Sequence, residues 1–343
     1  MARRYLLSID GGGVRGVIPA VALAKLEDTT GGLTRDTFSF AAGTSTGAII
    51  AAAVAAGIPA TSIVDLYVNR TREIFTGLPL LNTLRRIISG SMYSTRKLHD
   101  VIVEELGPEG GGWSLNESPI DLLITAKGVP DGEPWYFVKD NPENTQCTGR
   151  LGLADCATAS AAAPTYFEPW TIEVGSVPPD CKRVGALTDG GVGVAGNPVY
   201  QACVEAFFYT DGENRYEPGE TTVVSLGTGR SIVPKRRPTW LGSWLQWILG
   251  ELLESPGEQQ TEIAWRHFVK QQPAGQEMTF YRIDTKLDED IALDDAGAVE
   301  KLRVYGEQLA DLIDWEALLD GTDEGFLVRG DRTLFPQYAK QTT

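Results

Sequence analysis

The chain has 343 residues, 42% of them hydrophobic and 22% charged, and a net charge of −16 at pH 7. So acidic a balance excludes nucleic acid as a partner, because phosphate binding needs clustered Lys and Arg, and it opposes approach to an anionic membrane. The length suits one large α/β domain over 1–343, and no stretch reads as a bilayer span, since the most apolar candidate, Gly47 to Ile58, is too short.

Met1-Ala2-Arg3-Arg4 precedes the apolar run Tyr5 to Ile9, but Asp10 and three glycines end that run after five residues. It therefore reads as a buried first strand and not as a signal peptide. The glycines of Ser8-Ile9-Asp10-Gly11-Gly12-Gly13-Val14-Arg15-Gly16 make a turn, and Val17, Val21, Leu23 and Leu26 give the helix that follows. The pattern repeats: Thr37 to Ala42 is a second strand, leading into Gly43-Thr44-Ser45-Thr46-Gly47 and an alanine-rich buried helix. Thr95 to Leu106 predicts a helix with Leu98, Val101, Ile102 and Leu106 on one face, and Gly107 to Gly112 an exposed loop. Asp121 to Ala126 and Thr221 to Leu226 are continuous apolar runs, as strands buried on both faces of a parallel sheet are. Pro234-Lys235-Arg236-Arg237-Pro238 is a local basic run, and behind it Trp240 to Leu253 carries three tryptophans on one broad apolar face. Segment 235–253 either docks transiently on a membrane or packs on the core. Ala298 to Leu319 predicts one long amphipathic helix. Strands alternating with helices mean a three-layer α/β/α sandwich around a mostly parallel sheet. Its motif-bearing core covers 1–230, and 231–343 is a helical C-terminal part, a lid or a regulatory region.

The glycine loop has two readings. Gly11, Gly13 and Gly16 satisfy G-x-G-x-x-G between strand and helix, as a dinucleotide site would. That site also needs an acidic residue at the end of the next strand, and neither Asp28 nor Asp36 occupies such a place. The other reading is an oxyanion hole serving a nucleophile. Gly43-Thr44-Ser45-Thr46-Gly47 fits G-x-S-x-G with a strand before it and a helix after it, the context of a nucleophile elbow. A serine needs a base, and the two histidines, His99 and His267, both lie within helical stretches, with His99 on the solvent side. Asp189-Gly190-Gly191 supplies a carboxylate at a tight turn instead. The cysteines, Cys147, Cys156, Cys181 and Cys203, form no CxxC pair and predict neither zinc nor a disulfide framework, only reduced thiols in a cytoplasmic protein.

Asp10 to Gly16, Gly43 to Gly47 and Asp189 to Gly191, in this order, make the chain resemble the patatin-like phospholipases. Ala159-Ser160-Ala161-Ala162-Ala163-Pro164, Asn197-Pro198 and Ser225-Leu226-Gly227-Thr228-Gly229 extend the resemblance over residues 5 to 230. It implies a phospholipase A-type acyl hydrolase in which Ser45 is the nucleophile and Asp189 the base. Gly11, Gly12 and Gly13 would form the oxyanion hole, Arg15 would order that loop, and Gly43 and Gly47 would shape the elbow. It implies no metal and no cofactor, membrane phospholipids as substrate, and a cytoplasmic enzyme acting at the membrane surface. Some bacterial members answer to cyclic dinucleotides, which makes such an activator an expectation of the resemblance alone. The competing expectations are a dinucleotide-binding enzyme using 11–16 and a catalytically silent binding or storage protein on the same scaffold.

Overall fold

A computed structural model gives the fold, and it describes residues 3–75, 90–141, 148–172, 185–210, 215–233, 238–239, 247, 251 and 256–329. The basic residues 235–237 and nearly all of 240–253 lie outside the described residues, as do Cys147 and Cys181. Cys156 and Cys203 are free and buried.

Residues of the apolar runs alternate between two cores, as side chains of a strand must. Leu7, Ile9, Ala41, Val224, Leu226, Tyr281 and Ile283 face one cluster, and Leu6, Phe40, Ala42, Val223 and Phe280 face the other. The strands are β1 (Arg4–Ile9), β2 (Phe40–Gly43), β3 (Asp121–Gly128), β4 (Pro134–Val138), β5 (Trp170–Thr171), β6 (Ala186–Asp189), β7 (Thr221–Leu226), β8 (Arg230–Ser231), β9 (Thr279–Ile283) and β10 (Lys286–Leu287). The main sheet runs β5-β6-β3-β2-β1-β7-β9, with β4 also on β3; β8 and β10 form a separate small pair. From β3 through β9 the pairings are parallel, while β4, β5 and β6 are attached antiparallel.

The main helices are α1 (Val17–Thr30), α2 (Thr46–Ala56), α3 (Thr95–Gly110), α4 (Leu153–Ala161), α5 (Val199–Val204), α6 (Pro256–Trp265), α7 (Val299–Ala310) and α8 (Trp315–Asp320); Thr34–Thr37 is a short helix, and residues 60–74 are helical throughout, as Ala60–Asp65, Leu66–Arg70 and Thr71–Ile74. Side chains of α1 to α4, α7 and α8 pack into the first cluster, and those of α5 and α6 into the second. The sandwich expected from the sequence is therefore the architecture found.

Three expectations change. The stretch Ala298 to Leu319 is two helices, because Asp314 leaves the helical conformation and its carboxylate accepts the Ala317 N–H at 3.0 Å, capping α8. Gly107 to Gly112 is not simply a loop: the chain kinks at Gly107, where φ is +74°, and turns helically again to Gly110. The C-terminal part is not only helical, since β9 adds a parallel strand to the main sheet beside β7. Among the described residues no helix is long and apolar enough to cross a membrane.

β3 decides where the site forms. A strand has two edges, and β4 takes one of them along Leu123–Lys127. On the other edge β2 pairs with Asp121–Ile124 and β6 with Ala126–Gly128, so the two share it end to end. Gly43 lies opposite Ile124 and Asp189 opposite Ala126. Two residues of strand are about 7 Å, so the chain leaving β2 turns directly against the end of β6.

Candidate active site

That turn is the elbow. Ser45 has φ +57° and ψ −124°, a backbone conformation that costs a non-glycine residue about 1–3 kcal/mol. Close packing holds it there. A Cβ on Gly43 would stand 2.1 Å from the Gly47 carbonyl oxygen, and one on Gly47 would stand 2.2 Å from that of Ile9. The Thr44 hydroxyl bonds to the Thr125 hydroxyl of β3 and to the Ala195 carbonyl, both at 2.7 Å. The Ser45 N–H donates to the Ser160 hydroxyl at 2.8 Å. Ser45 then stands half-buried at the N-terminus of α2, where the helix dipole favours negative charge.

Asp189 is fully buried beside it. One carboxylate oxygen, Oδ1, accepts the Gly191 N–H at 2.7 Å. The other, Oδ2, has no hydrogen bond of full geometry among the described residues. Burial pushes the Asp189 pKa up to about 6, against the nearby Ser45 hydroxyl and the Gly191 amide, which both pull it down. The segment after α4 fixes this residue too, because the Ala162 carbonyl accepts the Asp189 N–H at 3.1 Å and the Thr188 hydroxyl at 2.7 Å. One short stretch, Ser160 to Ala162, thus holds both sides of the pair. In the sequence it carried a family motif and no assigned task.

The glycine loop faces Ser45 from above the end of β1. A Cβ on Gly11 would come within 3.2 Å of the Ser45 Cβ. Gly13 has φ +57°, and a side chain there would strike the Leu293 carbonyl oxygen at 2.1 Å. The loop amides differ in availability. Gly11 N–H donates to the Gly196 carbonyl at 2.8 Å and is committed, whereas Gly12 and Gly13 N–H have no acceptor among the described residues. Gly11 therefore contributes close approach and not a donor, which narrows the expected oxyanion hole to two amides. Arg15 is buried, and its Nε points to the Gly12 carbonyl at 3.4 Å, from within the loop.

Ser45, Asp189 and Gly11 to Gly13 all line one cavity of about 70 Å³, whose far wall is apolar: Ile49, Leu66, Ile74, Phe75, Leu98 and Phe167. Neither histidine lines it. His99 is not on the solvent side as expected: its side chain is 16% exposed and its ring stacks on Trp170 with centroids 4.7 Å apart. His267 stacks on Phe268 and meets the Tyr200 hydroxyl at 3.2 Å. The dinucleotide reading also finds no ribose partner, since Asp36 accepts the Leu33 N–H within its own short helix and Asp28 is exposed. Among the described residues no three His, Cys, Asp or Glu side chains gather as metal ligands would.

An α/β sheet with its serine on a strand–helix elbow, fronting an apolar cavity, is the design of the serine hydrolases. Residues 7–203 match the family model described as Patatin-like phospholipase, and the chain belongs to that family, whose members hydrolyse lipid esters. It is similar to a cGAMP-activated phospholipase of Escherichia coli (strain TW11681), 28% identical over 73% of this chain and 70% of the relative. It is also similar to a cGAMP-activated phospholipase of Vibrio cholerae serotype O1, 27% identical over 89% of this chain and 90% of the relative. Among solved structures it is similar to VipD from Legionella pneumophila, with TM-score 0.43 and 12% identity over 91% of this chain and 67% of that one.

Proposed function

We propose that this hydrolase cleaves the acyl esters of membrane phospholipids with Ser45 as nucleophile and Asp189 as its base. The observation that carries the reading is the buried Asp189 carboxylate beside Ser45, with Oδ2 free of any competing bond of full geometry. A pKa of about 6 leaves the carboxylate ionised at neutral pH yet basic enough to take a proton. The Ser45 Oγ proton passes to Asp189 as Oγ attacks the ester carbonyl carbon, and the carbonyl oxygen becomes an oxyanion received by Gly12 and Gly13 N–H. Collapse breaks the bond to the leaving alcohol, which takes the proton from Asp189. Water, deprotonated by Asp189, then attacks the acyl-enzyme, and collapse breaks the bond to Ser45 Oγ, which takes the proton back from Asp189 as the fatty acid leaves. The apolar wall from Ile49 to Phe167 receives the acyl chain.

A cyclic dinucleotide is proposed as activator, supported by the names of the two relatives described above. The test compares hydrolysis of a short-chain chromogenic ester and of phospholipid vesicles, each with and without cyclic GMP–AMP. Ser45→Ala and Asp189→Ala should abolish turnover of both, while His99→Ala and His267→Ala should keep it. Turnover surviving Ser45→Ala would overturn the mechanism, and equal rates with and without the cyclic dinucleotide would remove the activator.

A further inference from the structure

The back of the glycine loop is as unusual as its front. Behind Gly11 lies a second cavity of about 50 Å³ lined by polar groups, among them Asp10, Arg15, Thr228, Arg282 and Asp284. Apolar packing therefore does not fix the loop from that side. Polar contacts must.

Register sets up those contacts. Ser8 of β1 lies opposite Ser225 of β7, which lies opposite Arg282 of β9. Alternation places all three, and Asp10 two residues beyond Ser8, on the face of Leu6, Val223 and Phe280. From two strands away Arg282 passes Ser225, donating to its hydroxyl at 2.9 Å, and grips the Asp10 carboxylate with both terminal nitrogens, at 2.9 and 2.6 Å. Asp284 stands 3.6 Å from the same guanidinium and accepts the Gly229 N–H at 2.9 Å. Burial opposes the Arg282 charge, but Asp10 and Asp284 outweigh it and hold its pKa above the usual value. A forked, fully charged donor fixes both the distance and the plane of a carboxylate, which a lysine cannot do.

We infer that Arg282 is a positioning residue for acyl transfer: by locking the Asp10 carboxylate it sets the direction of the Gly12 and Gly13 amides. Asp10 is the residue from which the loop departs, so a rotation there swings both amides away from the reacting oxygen. The Thr228 hydroxyl on the Gly11 carbonyl, at 2.7 Å, and Gly11 N–H on Gly196 hold the loop's height. The ion pair holds its angle. The inference rests on the reading of Gly12 and Gly13 as oxyanion donors to an ester attacked by Ser45.

The test measures kcat and KM on a short-chain ester, and the rate at which a fluorophosphonate labels Ser45, for the full chain carrying Arg282→Lys, Arg282→Met, Asp10→Asn and the double change Asp10→Asn/Arg282→Met. Losing an oxyanion donor costs roughly 10²–10³-fold in turnover, and Arg282→Met should approach that loss in kcat and in labelling while KM moves less than threefold. Arg282→Lys, with one contact in place of two, should fall between it and the native enzyme. The charge-balanced double change keeps the question open to measurement if Arg282→Met does not fold, and it too should lose kcat. Native kcat and labelling in a folded Arg282 variant would overturn the inference, as would a loss confined to KM. Ser45→Ala separates the two readings: turnover persisting in it defeats the dyad, whereas an inactive Ser45→Ala beside fully active Arg282 variants defeats the positioning role alone.

Discussion

Asp189 ties activity and stability to pH in opposite senses. If Asp189 is the base it must be ionised, so turnover should climb through about pH 6 and level off above it. Burial also pushes Asp10 up to about 6, and Asp10 would add to the same limb through its pair with Arg282. A profile flat from about pH 5 to 8 would remove Asp189 from that role. For stability, its folded pKa lies above the unfolded value near 4, so the folded state binds the proton more tightly. The penalty for burying the charge is therefore absent below about pH 4, grows up to about 6 and is complete above that, at on the order of 3 kcal/mol. Asp189→Asn should raise the melting temperature at pH 8 but not at pH 4, while removing turnover at pH 8. Ser45 holds a similar tension in its backbone. With φ at +57°, Ser45→Gly should melt higher than Ser45→Ala by the equivalent of about 1–2 kcal/mol, although both are inactive.

At the scale of the elements, the elbow depends on how closely α2 approaches the end of β1. Gly47→Ala places a Cβ against the Ile9 carbonyl and must push the helix, and Ser45 with it, away from Asp189. A displacement near 1 Å is enough to lower turnover by roughly 10²-fold, readable as a fall in kcat on a soluble ester. β1, β2 and β7 were legible in the sequence because each holds an apolar run of strand length with a glycine within two residues of its end. β6 was not, being four residues with a threonine and an aspartate among them. β9 was not, because its Arg282 reads as a surface charge until a partner 272 residues away is brought beside it. The apolar period that joined α7 to α8 into one helix ran through Leu309 and Ile313, which are buried, and Leu312, which is 72% exposed, so burial continues across a break that the period does not mark. Ser45 stands out from the local G-x-S-x-G spacing, whereas Asp189 reads locally as an Asp-Gly turn and is picked out as a base only by the family resemblance. The contacts of Ser160 with Ser45 and of Arg282 with Asp10 exist only in the tertiary fold.

For the whole molecule, the charge of −16 bears on the proposed substrate, membrane phospholipid. Repulsion from anionic lipid is screened over about 8 Å at physiological salt. Hydrolysis of vesicles rich in anionic lipid should therefore rise with added salt, while hydrolysis of zwitterionic vesicles changes little. The opposite trend would mean that a local basic run of the sequence, such as 235–237, dominates the encounter. A separate consequence comes from the shared edge of β3. A chain that has built only β1, β2 and β3 already carries Ser45, but the part of the β3 edge where Asp189 docks stays vacant until β6 arrives. Such long-range pairing forms late. On refolding from denaturant, esterase activity should lag behind the return of helical circular dichroism. On the proposed dyad, a chain still being synthesised would accordingly hold Ser45 without Asp189 and stay inactive until folding is complete.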